Sequence, residues 1–583
     1  MRTSLPRATP RRPLAGGAAT AATAALAGLA ATAALVAPPP ASALVAPGRV
    51  TVPFMSGTRA GVDPFSVAGV AVMPDGRIVT SGIDARAHRL LLTRVTSTGR
   101  PDPTFGGGDG IVSVAVPYEQ STYGPFPSGP RLAADGSVYL VNRGPAPGKL
   151  EGGEADITHV LRDGTLDPGF GAGGVTMSGV QEGAFALTGD GRILVAGQVG
   201  QFDLTNLTRL PNISAMMTVE VARLSATGAL DTTFGNGGRV TVAGNATGAI
   251  VSLPNGGLAL TTSQGDTSRL IELAADGSPA PDFDHGAPLI VSGFPDGLLP
   301  RADGAVDLLT TNRDRTAAAL VRVRPDGTGD PSFGTGGAVS VPDGTLIPGL
   351  DGSDLITGIG AIQPPPGKPF TVTIHRILAD GTSDRVFGGP AGRSFALAFG
   401  GGFGTPGAIH AQPVVASLDQ TGFQGGAVAV RPNGGFVVAG AVAAIQYTGE
   451  GDGFEHEDVG LAAFAGGLTP DVSFGGRAVA PTVTVSLPRQ RASTAAAPRR
   501  RYVLVRLATS PGLCQISVRG RGTVVAKADV PVFSPAGQNA HVWLTSSGRR
   551  LLPGARSVGI TARATCRDLV GTAATAPATG LLR

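Results

Sequence analysis

The stretch RLSATGALDTTFGNGGRVTV, residues 223–242, decides the fold. It reads as a strand end, a Thr-Gly turn, an Asp-x-x-Phe-Gly corner, a glycine stop and a new strand. The same phrase, locally edited, occurs seven times, aligned on Phe105, Phe170, Phe234, Phe283, Phe333, Phe387 and Phe474. One supersecondary phrase repeated seven times is the signature of a repeat architecture.

Each unit opens with a predicted hairpin. Its tip falls at Asp75-Gly76, Asp135-Gly136, Asp190-Gly191, Asn255-Gly256, Asp303-Gly304, Asp351-Gly352 and Asn433-Gly434. Such pairs enter positive φ cheaply, as a tight hairpin turn demands. The apolar runs that follow, such as Ile193-Leu194-Val195, suit strands buried on both faces. Tip glycines recur about every 60 residues between Gly76 and Gly434. Eleven residues before the phenylalanine stands Arg94, Arg223, Arg322 or Arg376, replaced by His159, Glu272 and Ala463 in the other units. Three before it stands Asp102, Asp167, Asp231, Asp330, Asp384 or Asp471, with Ala280 the exception. A short carboxylate there accepts nearby backbone N–H groups and locks the corner, so these aspartates read as architectural rather than catalytic. The phenylalanine is expected to plug the space between neighbouring sheets.

The paired motifs, as in Asp190 to Gly197 and Asp231 to Gly235, resemble the delta-sixty repeat of bacterial extracellular proteins over roughly residues 67–477. What the resemblance implies is an all-β chain built as a seven-bladed β-propeller, with no enzymatic activity attached to the repeat. Arg49-Val50-Thr51-Val52 copies Arg239-Val240-Thr241-Val242 and has no partner upstream. Residues 49–53 therefore read as a strand lent to the last repeat to close the ring, which leaves no open edge.

The expected domains are a signal peptide over 1–43, the propeller over 44–477 and a small immunoglobulin-like β-sandwich over 478–583. The leader has Arg2, Arg7, Arg11 and Arg12, then an Ala-rich apolar run, then an Ala41-Ser42-Ala43 cleavage box. Arg11-Arg12 leaves both the general and the twin-arginine export routes open. No later stretch is apolar enough to span a bilayer. The protein is thus read as secreted, extracellular or attached to the cell surface. In the tail, short strands at 482–487, 502–507, 524–526, 542–544 and 558–564 suggest the sandwich. The phrases at 544–552 and 567–572 resemble the C-terminal immunoglobulin-like modules of actinobacterial secreted proteins, with Thr572 where asparagine is usual. Cys514 and Cys566 are the only cysteines and are expected to pair outside the cell.

With 89 glycines among 583 residues and 42% hydrophobics, the composition is that of many short strands and turns, not of a disordered chain. The net charge of +4 hides a split: residues 478–583 carry fifteen Lys and Arg against two Asp, and the repeat region is correspondingly acidic. The arginines at 489, 491 and 499–501 fit a solvated loop, a contact with the acidic body, or an outside anionic polymer. No aromatics interleave with them, so no nucleic acid is expected.

Chemical motifs are sparse. The seven histidines are scattered, no Gly-x-Ser-x-Gly elbow occurs, and the Gly-x-Gly-x-x-Gly at 402–407 lacks a following helix and carries Pro406. No catalytic or cofactor-binding residue is assigned. Glu450, Asp452, Glu455, Glu457 and Asp458 form a weak calcium candidate, against the alternative of a solvated acidic loop. The expected function is a non-catalytic scaffold binding an extracellular glycan, cell-wall polymer or protein, with long insertions at 144–154, 202–214 and 444–458 as candidate contact loops. The alternative is a polysaccharide hydrolase or lyase, which needs two carboxylates converging from different blades.

Overall fold

The computed structural model describes residues 44–46, 49–60, 66–84, 89–115, 129–143, 154–199, 218–264, 267–359, 370–397, 413–414, 428–447, 453–466, 469–475, 481–492, 501–510, 512–532, 537–553, 555–568 and 572–583. The signal-peptide segment, the insertion at 202–214 and the glycine motif at 402–407 lie outside them. The described chain is all-β, and every strand pairing within the repeat region is antiparallel.

A complete repeat is a four-stranded meander. In the fourth, Ala246–Ser252, Leu258–Gln264, Thr267–Leu273 and Leu289–Val291 pair in chain order. The hairpin tips have a different geometry from a two-residue turn. Only the glycine takes positive φ, 84° at Gly76 and 83° at Gly256, while the preceding residue stays in ordinary backbone space. Gly76 N–H donates to Met73 O and Asp75 accepts Arg77 N–H, a type I turn closed by a glycine bulge. The aspartate is there to cap the turn, not to enter positive φ.

The second and third repeats share one sheet because Val175–Leu187 runs through both. It pairs with Glu154–Val160 at one end and Ile193–Val199 at the other, with register breaks on either side of Gln181. Gly179 sits at the bend with φ of 75°, and a Cβ there would strike the Arg239 guanidinium. The first strands of successive repeats pack on one another, Ala246–Ser252 on Phe294–Pro300 and that on Thr345–Pro348, so the first strand is the inner one. Bulges recur on it, between Val67 and Gly69, Thr247 and Ile250, and Pro295 and Gly297.

The cores lie between sheets rather than within them. Phe105 packs with Val79 and Leu92 of its own repeat and Val138 and Leu140 of the next. Phe170, Phe234, Phe283 and Phe333 do the same one step along. All seven corner phenylalanines are buried. The array returns on itself: Phe474 of the seventh repeat packs with Val67 and Ile78 of the first and with Val50 and Val52. Arg49–Ala60 pairs with Gly453–Phe464, Val50 opposite Leu461, and so completes the last sheet.

From Thr484 onward the strands form one antiparallel sheet that curls over its own core of Val503, Val505, Ile516, Val518, Val542, Ile560 and their neighbours. Cys514 and Cys566 are directly opposite on adjacent strands and are joined by a disulfide in that core. No helix among the described residues is long and apolar enough to cross a membrane.

Candidate functional site

The repeated polar residues form a joint between repeats. At each corner the aspartate takes the N–H two residues on: Asp102 Oδ1 from Thr104, Asp167 from Gly169, Asp231 from Thr233, Asp330 from Ser332, Asp384 from Val386 and Asp471 from Ser473. In the first, third and sixth repeats the other oxygen faces the arginine eleven residues before the phenylalanine. Arg94 Nε donates to Asp102 Oδ2 at 2.7 Å, its Nη2 donates to Thr104 Oγ1, and its guanidinium lies 4.3 Å from the Phe105 ring centre. Its Nη1 then donates to Arg162 O of the next repeat. Arg223 reaches Ala275 O and Arg322 reaches Ala379 O in the same way. Beside each, the residue after the phenylalanine donates its N–H across the joint: Gly106 to Asp163 O, Gly171 to Thr227 O, Gly235 to Asp276 O, Asp284 to Asp326 O, Gly334 to Asp380 O, and Gly475 back to Thr98 O. Burial would push the Asp102 carboxyl up; hydrogen bonds from Thr104 and the Arg94 guanidinium outweigh it and hold the group below the usual carboxylate range.

Three repeats depart from this joint at the arginine position. In the seventh repeat Ala463 stands at the arginine position, and Arg431 from the hairpin fills the gap, donating to Asp471 Oδ2 and Ser97 O. In the second, buried His159 donates Nδ1–H to Asp167 Oδ2 at 2.9 Å and stacks on Tyr139 at 4.0 Å. In the fourth, Glu272 replaces the arginine and Ala280 the aspartate. Glu272 Oε1 is buried without a hydrogen-bond partner, and burial pushes its carboxyl up to about 7. Asp284 and His285 there adopt φ of 42° and 57° in the corner, where Asp284 replaces the glycine of the other repeats.

The fifth and sixth repeats hold a buried cluster that sequence reading missed. Arg322 keeps its place over the Phe333 ring but pairs with Asp307 instead of its corner aspartate Asp330, with Nε to Oδ1 at 2.7 Å and Nη2 to Oδ2 at 3.1 Å. Arg301 bridges Asp307 and Asp354 and donates Nη1 to Gly352 O. Both carboxylates are fully buried. Burial, and then the charge of Asp307, push the Asp354 carboxyl up. The available signal was their placement: Asp307 and Asp354 occupy second-strand positions that read Val79 and Ile78 in the first repeat. Two carboxylates from different repeats do converge, as the hydrolase alternative requires. They are closed to solvent and held by two guanidiniums, whereas a glycosidase pair stands about 5–9.5 Å apart with room for sugar or water. The cluster is built as a joint.

Arg301 also borders a cavity of about 690 Å³ over the inner hairpin tips of the third, fourth and fifth repeats. Its walls include Leu187, Leu253, Pro254 and Pro300, with Asp190 and Arg192 at the rim. Arg192 is paired with Asp190 at 3.0 Å and Asp231 at 3.2 Å, so the rim is a balanced mixture of charges, not an anion trap. Such a mouth suits a polar ligand with apolar faces, fixed by a few directed hydrogen bonds.

Of the calcium candidates, Glu450 and Asp452 lie outside the described residues. The backbone of Glu455, Glu457 and Asp458 runs within the strand Gly453–Phe464, paired on both sides, rather than in a loop. Among the described residues no group of three or more metal-ligating side chains is assembled.

No family model and no curated protein matches the chain. Among solved structures, prolyl oligopeptidase B from Galerina marginata is 12% identical with a TM-score of 0.35; the match takes in 77% of this chain and 56% of that one. A subtype N11 neuraminidase-like protein of A/flat-faced bat/Peru/033/2010 (H18N11) is 12% identical over 74% of this chain and 99% of that one, with a TM-score of 0.26. TolB from Acinetobacter baumannii is 11% identical over 46% and 53%, again with a TM-score of 0.26. The chain thus spans little more than half the length of the oligopeptidase, and at these scores the likenesses assign no activity.

Proposed function

We propose that residues 44–477 form a closed seven-bladed propeller, residues 478–583 an immunoglobulin-like module, and that the exported protein is a non-catalytic extracellular binding scaffold. Its ligand, a glycan, wall polymer or protein, is received over the inner hairpin tips of the third to fifth repeats. The observation that carries this reading is the 690 Å³ cavity, shared by the tips of three repeats. The corner carboxylates cannot compete for the role, because each is engaged by its own corner N–H. The ring reading is supported by the joint from the seventh repeat to the first and by the strand Arg49–Ala60 in the last sheet.

The test is binding of residues 44–583 to an array of glycans, wall polymers and surface proteins, with and without calcium, following turnover in the same wells. A Pro254→Tyr variant narrows the cavity mouth at an exposed turn. Binding without turnover that Pro254→Tyr abolishes is the expected result. Turnover of a bound polymer, or binding indifferent to that variant, overturns the assignment.

A further inference from the structure

The only tryptophan of the chain, Trp543, is 57% exposed. Other exposed large apolar side chains such as Val386 and Val472 stand singly at corners, where they need no explanation. Trp543 does not stand alone. It lies on the strand Gln538–Leu544, whose alternate residues Ala540, Val542 and Leu544 enter the core. The outward set is Asn539, His541 and Trp543. On the neighbouring strand Tyr502–Ala508 the outward set is Tyr502, Leu504 and Arg506. Register places Tyr502 opposite Trp543, Leu504 opposite His541 and Arg506 opposite Asn539. Lys527 lies opposite Trp543 on its other side.

The rings touch. Tyr502 stacks on His541 at 4.0 Å between centroids and meets Trp543 edge-on at 5.7 Å. Three aromatic groups thus make a firm platform in a chain with only 5% aromatics. Two cations flank it, Lys527 at the Trp543 end and Arg506 about 14 Å along the strand, at four residues of about 3.4 Å each. Asp529, exposed two residues beyond Lys527, is one of the two acids of residues 478–583. The domain's other acid, Asp568, is buried, so an outward surface with many arginines faces solvent.

We infer that this face is a binding site for an acidic polysaccharide, a chain of uronate-bearing pyranose rings. The flat C–H face of a pyranose packs on an exposed indole or phenol, and rigid aromatic rings lose little side-chain freedom on contact. Carboxylates along such a chain meet Lys527 and Arg506, while the domain's field, fifteen basic residues against two acidic, attracts the polymer from a distance. Single-stranded nucleic acid would also stack on such rings, but it calls for successive platforms along a basic groove, and here the rings form one patch on an open sheet. The inference concerns a surface separate from the cavity above; with the cavity array read in a Trp543→Ala background, each stands or falls without the other.

The lone tryptophan makes the test specific. Residues 44–583 are titrated with oligogalacturonate while Trp543 emission is followed, and retardation is measured in gels containing polygalacturonate, neutral dextran or poly(dT). A saturable emission change is expected, with retardation by polygalacturonate only and weakening by salt. Trp543→Ala should lower the affinity at least tenfold and Trp543→Phe should restore part of it; Lys527→Gln with Arg506→Gln should flatten the salt dependence. Circular dichroism of each variant reports whether the sheet is intact, and Trp543 is exposed enough for that to be expected. Retardation unchanged in Trp543→Ala, equal retardation by dextran, preferential binding of poly(dT), or no retardation at all overturns the proposal. So does a dimer that Trp543→Ala dissociates.

Discussion

Replacing Arg94 by methionine removes a joint while keeping an unbranched chain of similar length. Arg94 is fully buried and serves four partners: Asp102, Thr104, the Phe105 ring and Arg162 O of the next repeat. Methionine still covers Phe105 but leaves Asp102 Oδ2 with Arg77 alone, at 3.5 Å, and leaves Arg162 O without that donor. Stripping one partner from a buried pair costs about 3–5 kcal/mol, and residual attraction from Arg77 places this case near the lower figure. Asp102 is depressed in the folded state, so its contribution is present above the unfolded carboxylate pKa and is lost as pH falls through the folded value. The gap between wild type and Arg94→Met should therefore be widest near neutral pH and narrow below about pH 4. Urea unfolding followed by far-ultraviolet circular dichroism measures it; Trp543 fluorescence does not, because that residue sits in the tail. Adding Asp102→Asn should recover about half the loss, by removing the stranded charge. A cost under about 1 kcal/mol, or strictly additive effects of the two substitutions, would refute the joint as an energetic unit.

Glu272 gives a second pH signature, of opposite sign. Its carboxyl is raised to about 7 by burial, so the fold is favoured below the unfolded value near 4.5 and loses about 3 kcal/mol as pH rises from there through 7. Glu272→Gln should remove that slope, and a wild-type stability flat between pH 4 and 8 would contradict it. Gly164→Ala should cost at least about 2 kcal/mol more than Gly352→Ala: both glycines have positive φ, but a Cβ at Gly164 meets Gly106 N at 2.6 Å and one at Gly352 meets nothing within 4 Å. Thermal unfolding of the pair checks this, and equal losses would mean that the corner does not abut the next turn. Reducing Cys514–Cys566, whose cysteines are 52 positions apart, should destabilise the tail by up to about 4 kcal/mol, read by Trp543 emission in urea; no shift in midpoint would rule the bond out as a stabilising link.

What the sequence made legible were features carried by local rules. Gly76 and its six counterparts announce the tips because only glycine takes φ near +80° at no cost, and the corner aspartates announce their capping role by sitting two residues before an N–H. Arg49 to Val52 could be matched to a strand far away because it repeats that strand's text. The arginine's reach into the next repeat was not legible, since nothing local marks Arg162 O as its acceptor. Arg431 taking over from Ala463 was hidden for the same reason: the strand before Arg431 and the strand of Ala463 flank Phe436–Tyr447 on opposite sides, and only the fold brings Arg431 to Asp471. Asp307 and Asp354 were visible as letters, but their convergence on Arg301 depends on the packing of two repeats. The aromatic face was likewise scattered, because Tyr502 and Trp543 are forty-one positions apart and meet through strand register.

The central claim is a ring closed by its first strand, and hydrogen exchange tests it most directly. Amides of Gly453–Phe464 are compared in residues 44–583 and in a chain starting at residue 66, which lacks the strand Arg49–Ala60. The account predicts strong protection in the longer chain, and in the shorter one loss of protection that spreads to the first and seventh repeats. Equal protection of Gly453–Phe464 in both chains would contradict closure by that strand.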